Sequence, residues 1–210
     1  MNIEAILWNN QGQVLTPELI VGILYGASQP EQKPDKALIH QIGDYFEEYE
    51  GATFQVERLS DPAVLEAVQQ QHQEQWDEVE RARKVFNPDY PSTLERERDG
   101  IYVLFTARRD GVLIGNVGCY LLKSVHNQLP IAREDTMYVV PEERKGLVAS
   151  KFFDYCEHQL RRLGVMEITI TTKKINDKDN PKRDRLHIVW MRKGYEYAGR
   201  ELTKTFYEED

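Results

Sequence analysis

Arg144, Lys145 and Gly146 lie between a short apolar run, Met137 to Val140, and a long amphipathic stretch. Pro141 ends the run abruptly, because proline has no amide to donate, so the run suits a strand that stops at a turn. Beyond the turn, Val148, Phe152, Cys156, Leu160 and Leu163 recur at helical spacing, Arg161 and Arg162 fall in the last turn, and Gly164 follows as a C-cap. The spacing predicts a helix from about Leu147 to Leu163. Its first amides have no intrahelical partner and carry the positive end of the helix dipole. With two cations beside them and Gly146 letting backbone approach closely, they could hold a phosphate diester. The same residues also describe a surface turn that merely carries basic side chains.

These residues resemble the signature of the GCN5-related N-acetyltransferase superfamily: a strand, then Q/R-x-x-G-x-G/A, then a helix. Arg144 matches the first position and Ala149 the last. Leu147 stands where the family usually has its middle glycine, and Gly146 lies one residue earlier. The N-P-D-Y of 87–90, the R-R-D-G of 108–111, the S-V-H of 124–126 and the run from Glu134 to Arg144 look like phage and prophage members. The resemblance covers roughly Thr53 to Phe206.

The resemblance implies an acetyl-CoA-dependent transfer of an acetyl group to a primary amine by direct attack in a ternary complex. The strand holding Tyr138 and Val139 would splay from its neighbour, and the pantetheine arm would lie in the gap like an added strand. Arg144, Lys145, Gly146, Leu147, Val148, Ala149 and Ser150 would surround the pyrophosphate. The reaction needs a base for the ammonium, a dipole for the developing oxyanion and an acid or solvent path for the thiolate. Asp135 ranks first as base, Glu134 second and His126 third. Asp135 and Glu134 are neighbours in a strand, so only one can face the cleft. A carboxylate base would need partial desolvation, which His126 would not. For the acid, many relatives have a tyrosine four residues before the glycine ending the late helix, where this chain has Trp190, which has no acidic proton near neutral pH. Tyr155, Tyr195 and Tyr197 remain. A covalent route through Cys119 or Cys156 is disfavoured, because both fall at core positions.

The elements that must position these residues read as a mixed α/β fold with a partly antiparallel central sheet flanked by helices. A strand from Thr53 to Leu59 precedes a helix from Pro62 to about Lys84, capped by Asp61 and striped by Leu65, Val68, Trp76 and Val79. A short helix runs through Leu94. The segments Ile101 to Ala107 and Val112 to Lys123 form a hairpin across Asp110-Gly111. Strands at Ile131 to Val139 and Val165 to Thr172, a helix at Leu186 to Lys193 and a strand at Tyr195 to Phe206 complete the domain, assigned to 53–210. Residues 1–52 form a helical extension, with one helix starting at Thr16-Pro17 and another from Asp35 to Glu48.

Composition bounds the function. The 210 residues, 40% hydrophobic and 10% aromatic, can bury one core plus an appendage. No apolar run reaches the ~20 residues of a membrane span and the N-terminus lacks a signal peptide's basic flank, so a cytoplasmic protein is expected. The two cysteines pack as small hydrophobes, and the five histidines show no metal-ligand spacing. Residues 1–100 hold 8 Lys/Arg against 19 Asp/Glu and residues 101–210 hold 19 against 16, which divides the net charge of -8 into -11 and +3. An acidic half could draw in a cationic amine or serve simply as a solvated face. No aromatic-interleaved basic patch suggests nucleic acid. The expected partner is an amine-bearing small molecule, a protein lysine or a protein N-terminus, and a homodimer is left open. Two alternatives stand beside transfer: a binding protein that has kept the fold and lost turnover, and a phage virion or interaction protein acting on a host partner.

Overall fold

The computed structural model describes residues 45–79, 85–172 and 185–198. The predicted helix at Thr16 and the start of the final strand's continuation at residue 199 lie outside them. Six strands form one sheet in chain order: β1 (Glu47–Tyr49), β2 (Ala52–Glu57), β3 (Tyr102–Arg109), β4 (Val112–Lys123), β5 (Pro130–Val139) and β6 (Glu167–Thr169). All neighbours pair antiparallel except β5 and β6, which are parallel and joined through a helix, as a parallel pair requires. The helices are α1 (Pro62–Val79), α2 (Tyr90–Arg98), α3 (Val148–Arg162) and α4 (Arg185–Arg192), with a 3₁₀ turn at Pro141–Arg144.

The expected mixed α/β class, with helices on both sides of a largely antiparallel sheet, is the fold observed. Strand alternation divides the core. Tyr102 and Leu104 of β3 pack with Leu59, Leu113 and the Val64 and Val68 of α1. Val103 and Phe105 point the other way, into a larger core with Phe54, Phe152, Tyr155 and Leu160. Cys119 and Cys156 are free and buried there, and burial pushes both thiols up, so neither is a ready nucleophile. The hairpin between β3 and β4 turns at Asp110 and Gly111, both at positive φ, as two-residue turns of this kind need.

Two expectations need correction. Glu47 and Glu48, placed at the end of a helix from Asp35, instead open strand β1, whose partner is β2; Glu47 aligns with Phe54. In-sheet pairing with an adjacent strand outweighs weak helical periodicity at a segment's end. Tyr195 to Ala198 carry no strand. There Tyr195 turns back onto Trp190, ring centroids 4.9 Å apart, with its amide on the Trp190 carbonyl.

Candidate functional site

The centre of the site is an irregularity in β5. Gly118 of β4 aligns with Thr136 and Cys119 with Glu134, so Asp135 is an extra residue that the register skips. Such a bulge lets two neighbouring side chains depart from strict alternation. The oxygen of Glu134 accepts the Thr171 amide at 3.2 Å, on the β6 side. Asp135 is exposed, and its charge is felt by Tyr90 and Tyr102 on the opposite, α1–α2 side. The two adjacent carboxylates therefore serve different sides of the sheet.

The bulge is fitted to its neighbours. A Cβ on Gly118 would overlap the Tyr102 hydroxyl and come within 2.9 Å of the Thr136 methyl. Tyr102 is fully buried and its rigid ring cannot retreat. Gly118→Ala is expected to lose about 3 kcal/mol of stability, read from the urea midpoint.

Pairing between β5 and β6 stops at Arg133 and Thr169, just before the bulge. Beyond it β6 ends and β5 runs on with no ladder along that edge, which leaves a fork between β5 and the segment after Thr169. The Val140 amide bonds to Ile114 of β4 at 2.9 Å, so the backbones of Met137 and Val139 face the fork. Their carbonyls meet side chains rather than a strand: Gln75 Nε2 donates to Met137 at 3.1 Å and Arg144 Nε to Val139 at 2.6 Å. Gln75 also accepts from the Thr136 hydroxyl at 2.6 Å. Tyr138 faces the acidic end of α1, and burial, then the Glu74 charge, push its phenol up to about 12.

At the C-terminal end of β5 the chain turns through Pro141–Arg144 into α3. Gly146 has φ 112°, and open space surrounds the place its Cβ would take. Leu147 is the exposed N-cap residue and offers no side-chain bond to the helix amides. The amides of Val148, Ala149 and Ser150 are thus left at an uncapped helix start, with exposed Lys145 adjacent. Arg144 is engaged elsewhere. Its guanidinium makes two bonds to Glu78, at 2.6 and 2.7 Å, and lies 5.2 Å from the Tyr138 ring centroid. It fastens α1 to the root of the turn with its charge matched.

The structure brings Asp135, Glu134, Tyr138, Val139 and the turn 144–150 along one strand and its exit. It does not bring His126 to them. His126 is exposed in the loop before Pro130, and β5 runs five further residues to Asp135, roughly 16 Å of strand. Among the acid candidates, Tyr155 donates to the Tyr45 carbonyl at 2.7 Å, and Tyr197 is exposed beside His187, 6.5 Å between ring centroids. Burial pushes the Tyr155 and Tyr195 phenols far up. Trp190 is buried against Phe153, ring centroids 5.0 Å apart. A groove of about 1260 Å³ along β6 and α4, lined by Ile168, Ile170 and Tyr195, reaches Arg133 and Thr171 beside the fork and includes no residue of 134–150.

Sequence reasoning missed a polar seam between α1 and the sheet. Gln71 and Asn116 are both buried, and His72 stands beside them, its Nδ1 3.1 Å from the Tyr90 hydroxyl. The signal was Gln71, Gln75 and Glu78, spaced so that they fall on the helix face where the stripe calls for apolar residues. Burial drives His72 down to about 4, so the folded protein keeps it neutral while an unfolded chain would protonate it near 6.5. The folded state then binds fewer protons between these values, and stability falls as pH drops from about 6.5 to 4. The slope should amount to roughly 3 kcal/mol over that window. Urea titrations at each pH should show it, and His72→Asn should remove it.

The sequence model of the Acetyltransferase (GNAT) family matches residues 62–181. No curated protein matches the chain. Solved structures share the fold. An aminoglycoside acetyltransferase from an uncultured soil metagenomic sample superposes with TM-score 0.56 at 12% identity, over 76% of this chain and 97% of that one. A ribosomal-protein-alanine N-acetyltransferase from Brucella melitensis biovar Abortus 2308 gives 0.55 at 13% identity, over 75% and 100%. A predicted acetyltransferase from Clostridium acetobutylicum, solved with acetyl-CoA, gives 0.52 at 13%, over 73% and 96%.

Proposed function

The chain belongs to the GNAT acetyltransferase family, and from that premise we propose that it moves an acetyl group from acetyl-CoA to a primary amine within a ternary complex. The observation that carries the reading is the bulged Asp135, placed where β5 and β6 part. The residues present fit the cofactor: an open strand edge at Met137 and Val139, an uncapped helix start, a positive-φ glycine with space around it and an exposed lysine.

In this reading Lys145 and the amides of Val148, Ala149 and Ser150 hold the pyrophosphate, and the fork-facing backbone of Met137 and Val139 takes the pantetheine arm. Gln75 and Arg144 yield or share their carbonyls when it enters. Bound acetyl-CoA supplies an acyl group already activated as a thioester. Asp135 takes a proton from the acceptor's ammonium at its carboxylate. Glu134, bonded to the Thr171 amide, steadies the mouth of the fork. The acceptor class is an amine on a small molecule or on a protein; the structural relatives carry names of both kinds.

A second reading, a fold kept for binding with turnover lost, is favoured by the side chains already bonded to the Met137 and Val139 carbonyls. Calorimetric titration with acetyl-CoA, and with CoA as control, tests the cofactor site, and amine-dependent thiol release separates the two readings. Micromolar affinity is expected. No binding up to about 1 mM, a free energy of roughly 4 kcal/mol, would overturn the cofactor site.

A further inference from the structure

We propose that a hydrogen-bond chain anchored on the Leu113 carbonyl fixes His72 as the Nε2–H tautomer, so that the Tyr90 hydroxyl donates inward and offers only its lone pairs, beside Asp135, to a primary ammonium. The inference rests on the transferase reading for its substrate, and its geometry stands independently.

The polarity follows link by link. A backbone carbonyl can only accept, so the side-chain nitrogen of Gln71 faces Leu113, at 3.0 Å. Gln71 Oε1 then faces Asn116 and receives its Nδ2 at 2.7 Å. This leaves Asn116 Oδ1 as an acceptor, buried and without a standard hydrogen bond. His72 Nε2 is in the same condition. Asn116 acts to raise the proton affinity of the ring, as an acceptor beside a ring N–H does, and burial outweighs it and keeps the ring neutral. The two buried atoms left over, Asn116 Oδ1 and His72 Nε2, complement each other only when the ring nitrogen carries the proton, and the proton is assigned to Nε2 on that ground. Nδ1 is then an acceptor, and its partner at 3.1 Å is the Tyr90 hydroxyl, which must donate.

The ring of Tyr90 lies nearly parallel to that of His72, centroids 5.9 Å apart and planes 9° from parallel, which holds the hydroxyl at that nitrogen. With its one proton committed, the phenol oxygen presents only acceptors outward. The nearby Asp135 carboxylate adds negative charge on the same side and disfavours a phenolate. An acceptor beside a carboxylate suits an ammonium, with a positive charge and three N–H donors, better than a neutral hydroxyl with one. Tyr90 is the contact residue in this scheme, and His72 and Asn116 are positioning residues.

The tautomer is read by imidazole ¹⁵N spectra of the full-length protein at pH 7. A protonated Nε2 with an unprotonated, hydrogen-bonded Nδ1 is expected for His72; an Nδ1–H tautomer or an imidazolium would overturn the chain. The contact is read without acetyl-CoA, by chemical-shift titration with n-butylammonium against n-butanol. Tyr90→Phe should weaken n-butylammonium binding about fivefold or more, and equal binding would overturn the contact. In turnover, Tyr90→Phe should raise the amine KM about tenfold and leave acetyl-CoA affinity unchanged. His72→Asn, whose carbonyl can replace Nδ1 as acceptor, should restore the amine KM to within about threefold, whereas His72→Leu should match Tyr90→Phe. A wild-type protein that transfers no acetyl group would bring down the transferase reading, and the tautomer and the ammonium titration would still decide this one.

Discussion

Asp135→Asn lowers kcat/KM for amine acetylation by about 100-fold or more, and leaves both folding and acetyl-CoA affinity near wild type. The amide keeps the size of the carboxylate and cannot take the ammonium proton, and general-base catalysis contributes about 10² to 10⁴ in rate. Asp135 is exposed at a bulge that the β4 register skips, so the substitution leaves the ladder intact. Glu134→Gln is the matched control. Its side-chain oxygen can still accept the Thr171 amide, so kcat and both KM values should stay within about threefold of wild type. Steady-state rates with both variants check this. Asp135→Asn activity within threefold of wild type would remove Asp135 as the base.

Arg144→Glu is expected to weaken acetyl-CoA binding roughly tenfold to 100-fold by calorimetry, with a smaller loss of stability, about 1 kcal/mol. The substitution places a carboxylate against Glu78 and against the Val139 carbonyl, and reverses a charge at the root of the phosphate turn. The charge-swapped pair, Glu78→Arg with Arg144→Glu, restores the tie between α1 and the turn. Recovered stability and recovered affinity together would show that Arg144 acts by holding the turn in place. Recovered stability with affinity still lost would show that its charge is felt by the pyrophosphate directly. Unchanged affinity in Arg144→Glu would sink the phosphate-site assignment.

The local features were legible because each is written in adjacent residues. The Asp110-Gly111 hairpin, the strand ended by Pro141 and the helix from Val148 follow from turn chemistry and apolar period, and these are the elements on which the site is built. The long-range features were not. Nothing in the spacing of Glu78 and Arg144, 66 residues apart, announces that they pair, so the sequence reading took Arg144 for a free cation. The bulge at Asp135 is a property of two strands in register, whereas ordinary alternation already sends Glu134 and Asp135 to different sides. His72 looked like a scattered histidine because Asn116 and Tyr90, which give it meaning, lie in other elements. His126 stood third as base, after the two carboxylates, until the strand placed it at the far end. In the same way, Glu47 and Glu48 continued a helical pattern until β2 offered them a ladder.

Thiol release from acetyl-CoA, followed with and without added amines, decides whether this chain carries an acetyl group from acetyl-CoA to an amine. Release is expected to require the amine, to saturate with it and to be lost in Asp135→Asn. Micromolar acetyl-CoA binding with no amine-dependent release across small-molecule, peptide N-terminal and lysine acceptors would contradict it, and would leave a fold that binds the cofactor without using it.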